Sequence, residues 1–357
     1  MLRRPPRSGL SQMLRPAFLE ITAPRRSALA PGMLNLASNV LVHPRLAPLH
    51  RELGLAVTAQ GMQDYPHIAL EHERFAEVVG IPAQRLLCAA GSDALLRLVY
   101  LALDPPGGFI QQAPCYGSWY GALARRAPQL WEVRADGSCD VGALAALLRA
   151  RTPSVVVLSS PNSPLGPQLA HADLEALGDA AHKGDHLVVV DAAYEAFGTA
   201  WRPTGAMGDA FVWIRSLSKS FGLPGLRFGY LEARPALVAG LTHWNGAAEI
   251  SAHAWRLAQA AHRHRAAFEG LWDDVRQWRA HFTKGLHAHG LDVLPSAANF
   301  VGANVGAERT ARLVDALQRD GFATRQLSMF GRPETWRCTV APPPVMDRIL
   351  NAVGLCR

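Results

Sequence analysis

FVWIRSLSKSFGLPGLRFGY, residues 211–230, decides how this chain is read. Phe211 to Ile214 is an apolar run of strand type, and it breaks into Ser216, Ser218 and Lys219. A Gly/Pro turn, Leu226-Arg227 and a second apolar run follow. Lysine is scarce: Lys183, Lys219 and Lys284 stand against 33 arginines. A lysine at the end of a strand in such a chain points to a property that guanidinium lacks. Guanidinium stays protonated, whereas an amine in a partly desolvated site loses its proton and becomes a nucleophile suited to Schiff-base formation.

Outward from this stretch, short apolar runs alternate with amphipathic segments. RLLCAA precedes a helix starting near Ser92, GGFIQQ one from about Gly117, and PSVVVLSS a helix over 171–182. HLVVVDAAY and FVWIRS come next, and HIALEHERFAEVVG (67–80) has helical periodicity. Nearly all-apolar runs separated by helices predict an α/β fold with a largely parallel sheet between two helical layers. Past residue 233 a long helical stretch (251–288), NFVGANV, a helix over 307–319, FATRQL, WRCTVA and a closing helix predict a smaller α+β domain. The pattern divides the chain into a basic leader or arm (1–34), a large domain (49–244) and a small domain built from 35–48 and 245–357.

Composition narrows the function classes. With 49% apolar and 18% charged residues the chain is a folded globular protein rather than a disordered one. The net charge of +7 is spread among Ala, Pro and Leu without a lysine-rich tract, which argues against nucleic acid as the partner. No apolar stretch approaches the roughly 18 residues of a membrane span. Cys88, Cys115, Cys139, Cys338 and Cys356 show neither C-x-x-C nor metal spacing, and read as reduced thiols of a cytoplasmic protein. The leader is free of acids until Glu20 and lacks the apolar core of a secretory signal, so a flexible or dimer-embracing arm is expected. The histidine groups HRHR (262–265) and HAH (287–289) lie in polar helical stretches and read as solvated surface, with no metal site.

Ligands of such sheets bind beyond the carboxyl ends of the strands. Gly91-Ser92-Asp93 opens a helix whose free N–H groups suit an anion, or else forms a plain N-cap. Tyr116, in Pro114-Cys115-Tyr116, offers an aromatic face, and Pro161-Asn162-Ser163-Pro164 a turn with an amide. Asp191 ends LVVV and needs a cation or hydrogen bonds if buried; Tyr194 lies three residues on. An amine, a phosphate-binding set of hydroxyls, guanidinium and helix N-terminus, a carboxylate and a stacking aromatic together describe a pyridoxal-phosphate site.

SSPNSPLG, VVVDAAYEAF and SLSKSFGLPGLRFGY, in that order and spacing, resemble the signature of the fold-type I pyridoxal-phosphate enzymes, class I/II aminotransferases, nearest the histidinol-phosphate aminotransferase-like branch. The resemblance runs from about residue 35 to the end. It implies Lys219 as the amine that bonds the cofactor and moves protons, and Asp191 as partner of the ring nitrogen. It implies Asn162 and Tyr194 at the ring 3-oxygen, Tyr116 on the ring face, and Ser216, Ser218, Arg227 and the Gly91-Ser92-Asp93 helix start at the phosphate. Tyr65, in DYP, would reach the phosphate of a neighbouring subunit, which implies a homodimer with shared sites. Arg337, in WRCTV, would bind the substrate carboxylate, with Arg325 a second arginine and Asn39 part of the substrate pocket.

Two segments depart from the family pattern. The loop LNLASNVLVHP keeps Ser38 and Asn39 but lacks the branch's acidic residue and proline-glycine turn, and APPP follows where a Gly-Thr pair is usual. Both border the substrate pocket, so they bear on the substrate rather than the cofactor. The expected activity is an aminotransferase acting on an amino acid or related amine; a decarboxylase, cyclase, eliminase or oxidase on the same scaffold is the alternative. A cofactor-sensing transcription factor would need a helix-turn-helix ahead of this fold, and the leader carries no such pattern.

Overall fold

The computed structural model describes residues 29–54, 65–203, 205–245 and 249–355. Most of the leader, and Cys356, lie outside the described residues. A first strand, β1 (Leu34–Asn35), is followed by helices α1 (Leu46–Gly54) and α2 (Ile68–Val79). Then come β2 (Leu86–Ala89), α3 (Ser92–Ala102), β3 (Phe109–Ala113), β4 (Gln129–Glu132), α4 (Val141–Arg149), β5 (Val155–Ser159), α5 (His171–Lys183) and β6 (Leu187–Asp191). The stretch quoted above forms β7 (Phe211–Ser216), a one-turn helix α6 (Leu217–Ser220) and β8 (Gly229–Glu232). After it stand α7 (Pro235–Thr242), α8 (Ala252–Arg263), α9 (Arg265–Ala288), β9 (Asp292–Val293), β10 (Phe300–Asn304), α10 (Ala307–Arg319), β11 (Phe322–Ala323), β12 (Arg325–Leu327), β13 (Arg332–Thr339) and α11 (Pro343–Leu355).

Seven strands form one sheet in the order β2-β8-β7-β6-β5-β3-β4. Every residue of β5 and β6 is buried, as expected of inner parallel strands covered on both faces. The five strands from β7 to β4 run parallel, while β8 is antiparallel to both β7 and β2. Apolar runs carry no direction, so the pattern could not reveal this reversal. Its cause is the link from β7 to β8, a one-turn helix and a Gly/Pro turn without the full crossover helix of a parallel return.

A four-stranded antiparallel sheet, β12-β13-β10-β9, draws on residues 292–339, and β1 pairs with β11. The helix expected from Gly117 is a 3-10 segment, Ser118–Leu123. The stretch 251–288 is two helices, divided at His264. His262 corrects the surface reading of HRHR: it is buried between Phe75, Phe221 and Tyr230, and burial pushes its imidazole down to about 3. The amphipathic face of α8 explains the difference, because it turns Trp255, Ala258, Gln259 and His262 toward the core while Arg263 and His264 stay outside it.

Candidate active site

The carboxyl ends of β6 and β7 lie side by side, in register Asp191↔Ile214. Asp191 is 2% exposed, and its carboxylate accepts from Ala193 N at 3.1 Å. Burial pushes it up to about 7, helped by the Asp93 charge and opposed by Lys219. Ser216 caps α6 by accepting from Ser218 N (3.2 Å), which turns the chain so that Lys219 leaves the sheet. Lys219 Nζ donates to Ser38 O at 2.8 Å and lies 5.9 Å from the ring centre of buried Tyr194.

The start of α3 lies against Arg227. Gly91 has φ +89°, and a Cβ there would stand 2.7 Å from Arg227 Nη2. A Cβ on Gly229 would meet Gly91 C and Ser92 N at 2.6 Å. Two glycines thus let β8 and the α3 N-terminus approach Arg227 closely, with backbone N–H groups exposed at the helix start. Arg227 Nη2 donates to Asp93 Oδ2 at 3.3 Å, and Tyr120 donates to Asp93 Oδ1 at 3.3 Å. Within Gly91-Ser92-Asp93 the Asp93 carboxylate holds the arginine, which leaves the backbone N–H groups and the Ser92 hydroxyl as the groups of that trio able to donate to an anion.

Asn162 and Tyr116 stand on the turns after β5 and β3, each of which holds a cis proline peptide, at Pro161 and Pro114. Asn162 Nδ2 donates to Gln112 Oε1 (3.0 Å) and Pro114 O (3.1 Å), while its Oδ1 accepts from Leu165 N (3.1 Å). That amide therefore knits the two turns together. Tyr116 N donates to Ser163 O at 2.5 Å, and burial followed by the Asp93 charge pushes its phenol up.

Arg337 is the most enclosed cation of the site, at 5% exposure. Burial pushes it down to about 10, with the Arg325 charge acting the same way and Tyr194 opposing. Its Nη2 donates to Ala37 O at 3.0 Å, its guanidinium lies 5.1 Å over the Phe300 ring, and its Nε has no hydrogen-bond partner among the described residues. Arg325 is its cross-strand partner in the β12–β13 register, so both guanidinium groups start from one face of the small sheet. Asn39 Nδ2 donates to Tyr194 Oη at 3.0 Å. Tyr65 is 97% exposed and stands apart from this cluster.

Sequence reading missed an ion network built around the buried Arg215, four residues before the lysine. Arg215 pairs with Glu195 (2.9 Å) and Glu232 (3.3 Å), and Glu195 also holds Arg202. Burial alone would raise Glu195, but Arg215 and Arg202 hold it below the usual carboxylate range. The available signal was a charged residue inside the apolar strand FVWIRS.

These residues fit pyridoxal phosphate. The glycine-lined face with Arg227 and free helix N–H groups suits a phosphate, and a buried carboxylate pushed up to about 7 lacks the cation that a protonated ring nitrogen would supply. A family model described as "Aminotransferase class I and II" matches residues 31–353. This chain is a class I/II aminotransferase. The histidinol-phosphate aminotransferase of Roseobacter denitrificans is 30% identical over 309 residues, 84% of this chain and 85% of that one. Among solved structures, the histidinol-phosphate aminotransferase of Sinorhizobium meliloti in complex with pyridoxal-5'-phosphate superposes with TM-score 0.75 at 19% identity, covering 96% of this aminotransferase and 97% of that chain. The aspartate aminotransferase of Thermus thermophilus with maleate gives 0.75 at 19%, covering 91% and 92%. The fold expected from sequence, fold-type I with a mostly parallel sheet between helices, is the one observed.

Proposed function

We propose that this pyridoxal-phosphate-dependent aminotransferase moves the amino group of an amino acid or related amine to a keto acid, with Lys219 as its reacting amine and a role in amino-acid or specialised biosynthesis. One observation carries the reading: Lys219, Asp191 and Tyr194 converge between the glycine-lined face at Arg227 and the buried Arg337.

When bound, pyridoxal phosphate supplies a carbonyl for an amine and an electron-withdrawing ring. Arg227, Ser216, Ser218 and the Gly91-Ser92-Asp93 helix start would hold its phosphate. Asp191 would pair with the ring nitrogen, Tyr194 would face the ring 3-oxygen, Asn162 would join it only by turning an N–H away from Gln112 or Pro114, and Tyr116 would cover the ring. Lys219 Nζ would serve as the base that takes and holds the proton of the substrate Cα. Arg337, with Arg325 beside it and Asn39 bordering the pocket, would hold the substrate carboxylate. Fixing that group decides which Cα bond stands perpendicular to the ring and so which one breaks.

The reading extends to a homodimer in the cytoplasm, with Tyr65 reaching the partner's phosphate. Support for the first comes from Tyr65, a large aromatic side chain left 97% exposed. No helix among the described residues is long and apolar enough to cross a membrane. The same reading keeps a large unit over 49–244 and a small one over 35–48 and 245–357.

Purified protein is expected to absorb in the visible, to lose that band on borohydride reduction, and to carry the mass adduct on Lys219. Lys219→Ala should lose both band and activity; a variant that keeps them sinks the assignment. In single turnover with a panel of L-amino acids, a keto acid and the aminated cofactor are expected. Release of carbon dioxide or consumption of oxygen would overturn transamination.

A further inference from the structure

Three consecutive residues touch the three groups on which the proposed reaction turns. Ala37 O accepts from Arg337 Nη2 at 3.0 Å, Ser38 O from Lys219 Nζ at 2.8 Å, and Asn39 Nδ2 donates to Tyr194 Oη at 3.0 Å. We propose that Asn39 is a positioning residue that fills the acceptor side of the Tyr194 hydroxyl and thereby directs its single proton toward the cofactor's ring oxygen. The proposal rests on the reading of Tyr194 given above and assigns Asn39 to the tyrosine rather than to substrate.

A phenol has one proton to give and lone pairs to receive. With an amide N–H already donating to the oxygen, the phenolic proton is left for another acceptor. The opposite end of the amide faces a different group: Thr339 Oγ1 lies 3.4 Å from Asn39 Oδ1. The backbone is equally fixed. Asn39 has φ +53°, a left-handed conformation that few L-residues adopt and that asparagine tolerates better than most. It is held there at 2% exposure, with Asn39 N donating to Thr339 Oγ1 (3.1 Å) and Asn39 O accepting from Asn299 Nδ2 (3.1 Å). Such a conformation persists when its surroundings over-determine it, and it is found where geometry serves a site. Tyr194 is fixed from its other side by the edge-on ring of Phe300 at 5.3 Å. The ionisable groups around Tyr194 are Lys219 on α6, Arg337 on β13 and Tyr116 after β3; the charges of Asp93 and Lys219 act on Asp191. None of them supplies the amide's donor.

The test reads the pH midpoint of the visible band of the holoenzyme, with pyridoxal phosphate bound and no substrate. A donor at the ring oxygen disfavours the protonated form of the lysine-bound cofactor, so losing that donor raises the midpoint. Tyr194→Phe should raise it by about one pH unit, the size of a single hydrogen bond. Asn39→Gly keeps the left-handed backbone and removes only the amide, and should give a smaller rise. Asn39→Asp puts an acceptor where the donor was, draws the phenolic proton to itself, and should match Tyr194→Phe. In the Tyr194→Phe background neither Asn39 variant should move the midpoint further. If Tyr194→Phe shifts the band and both Asn39 variants do not, the inference is overturned while the role of Tyr194 stands. If Tyr194→Phe itself leaves the midpoint unchanged, the reading of Tyr194 falls and the inference with it. Equal shifts by the Asn39 variants with and without the tyrosine hydroxyl would assign Asn39 to the loop alone and also overturn it.

Discussion

The two ends of the site are built in opposite ways. At the proposed cofactor end, Arg227 leaves a turn with its side chain 44% exposed, and its neighbours Gly91 and Asp93 come from the start of α3, just after β2, and Gly229 from the adjoining strand β8. At the substrate end, Arg337 is 5% exposed and its partner Ala37 O lies 300 residues away in the chain. One end is wet at Arg227, which shares a twelve-residue stretch with Ser216 and Ser218 but meets Asp93 from 134 residues away; the other is dry and long-range throughout. A charge in a dry site depends on its few partners far more than a solvated one does, so the two arginines should respond differently to substitution.

The largest difference is expected at Arg337. Arg337→Lys keeps the charge but loses the planar fork that grips a carboxylate with two parallel N–H groups. The single-turnover rate constant over Kd for the fastest amino acid of the panel should fall about a hundredfold, as one or two charge-assisted hydrogen bonds imply. The visible band and the cofactor affinity should be unchanged. Equal loss of cofactor would mean that the two ends are not separable.

Gly229→Ala attacks the other end with a smaller expected effect. The new Cβ would press on backbone atoms of Gly91 and Ser92 at 2.6 Å, which no rotamer change relieves. Dialysis followed by cofactor titration should show affinity weakened about tenfold, about 1.4 kcal/mol. Once saturated with cofactor, the variant should react with amino acid at the parental rate. A slowed reaction at saturation would show that the strand, not only the cradle, had moved.

The same contrast explains what could be read from sequence. Lys219, Ser216, Ser218 and Arg227 sit within one twelve-residue stretch, because a strand end, a one-turn helix and a turn are sequence-local objects. The alternating apolar and amphipathic segments likewise revealed the sheet and its helices. The partners of Arg337 and Lys219 were hidden, because nothing in WRCTV or SLSKS names the carbonyls of Ala37 and Ser38 as acceptors. Arg337 and Arg325 were found only through family resemblance, and the Arg215–Glu195–Glu232 network was missed because its three members lie on separate elements. Direction was hidden too: an apolar run such as the one at β8 carries no orientation, and its reversal follows from a connection too short for a crossover.

Asp191 qualifies the contrast, since it is a dry group at the wet end, and it carries the smallest expected effect. Without cofactor, burial followed by the Asp93 charge pushes it up to about 7, with Lys219 opposing. An unfolded chain titrates the same carboxyl near 3.8. Between these values the folded apoprotein holds a proton that the unfolded chain has released. The group's stabilising contribution is therefore complete below about pH 4 and is lost as pH rises through about 7. Thermal melts of the apoprotein should show this decline, and Asp191→Asn, which has no proton to release, should lack it across the window. In the holoenzyme a protonated ring nitrogen favours the carboxylate, so the wild-type decline should flatten there. Parallel pH profiles for the wild-type and Asp191→Asn apoproteins would mean that the buried carboxyl is already compensated, and the cofactor end would then be wet throughout.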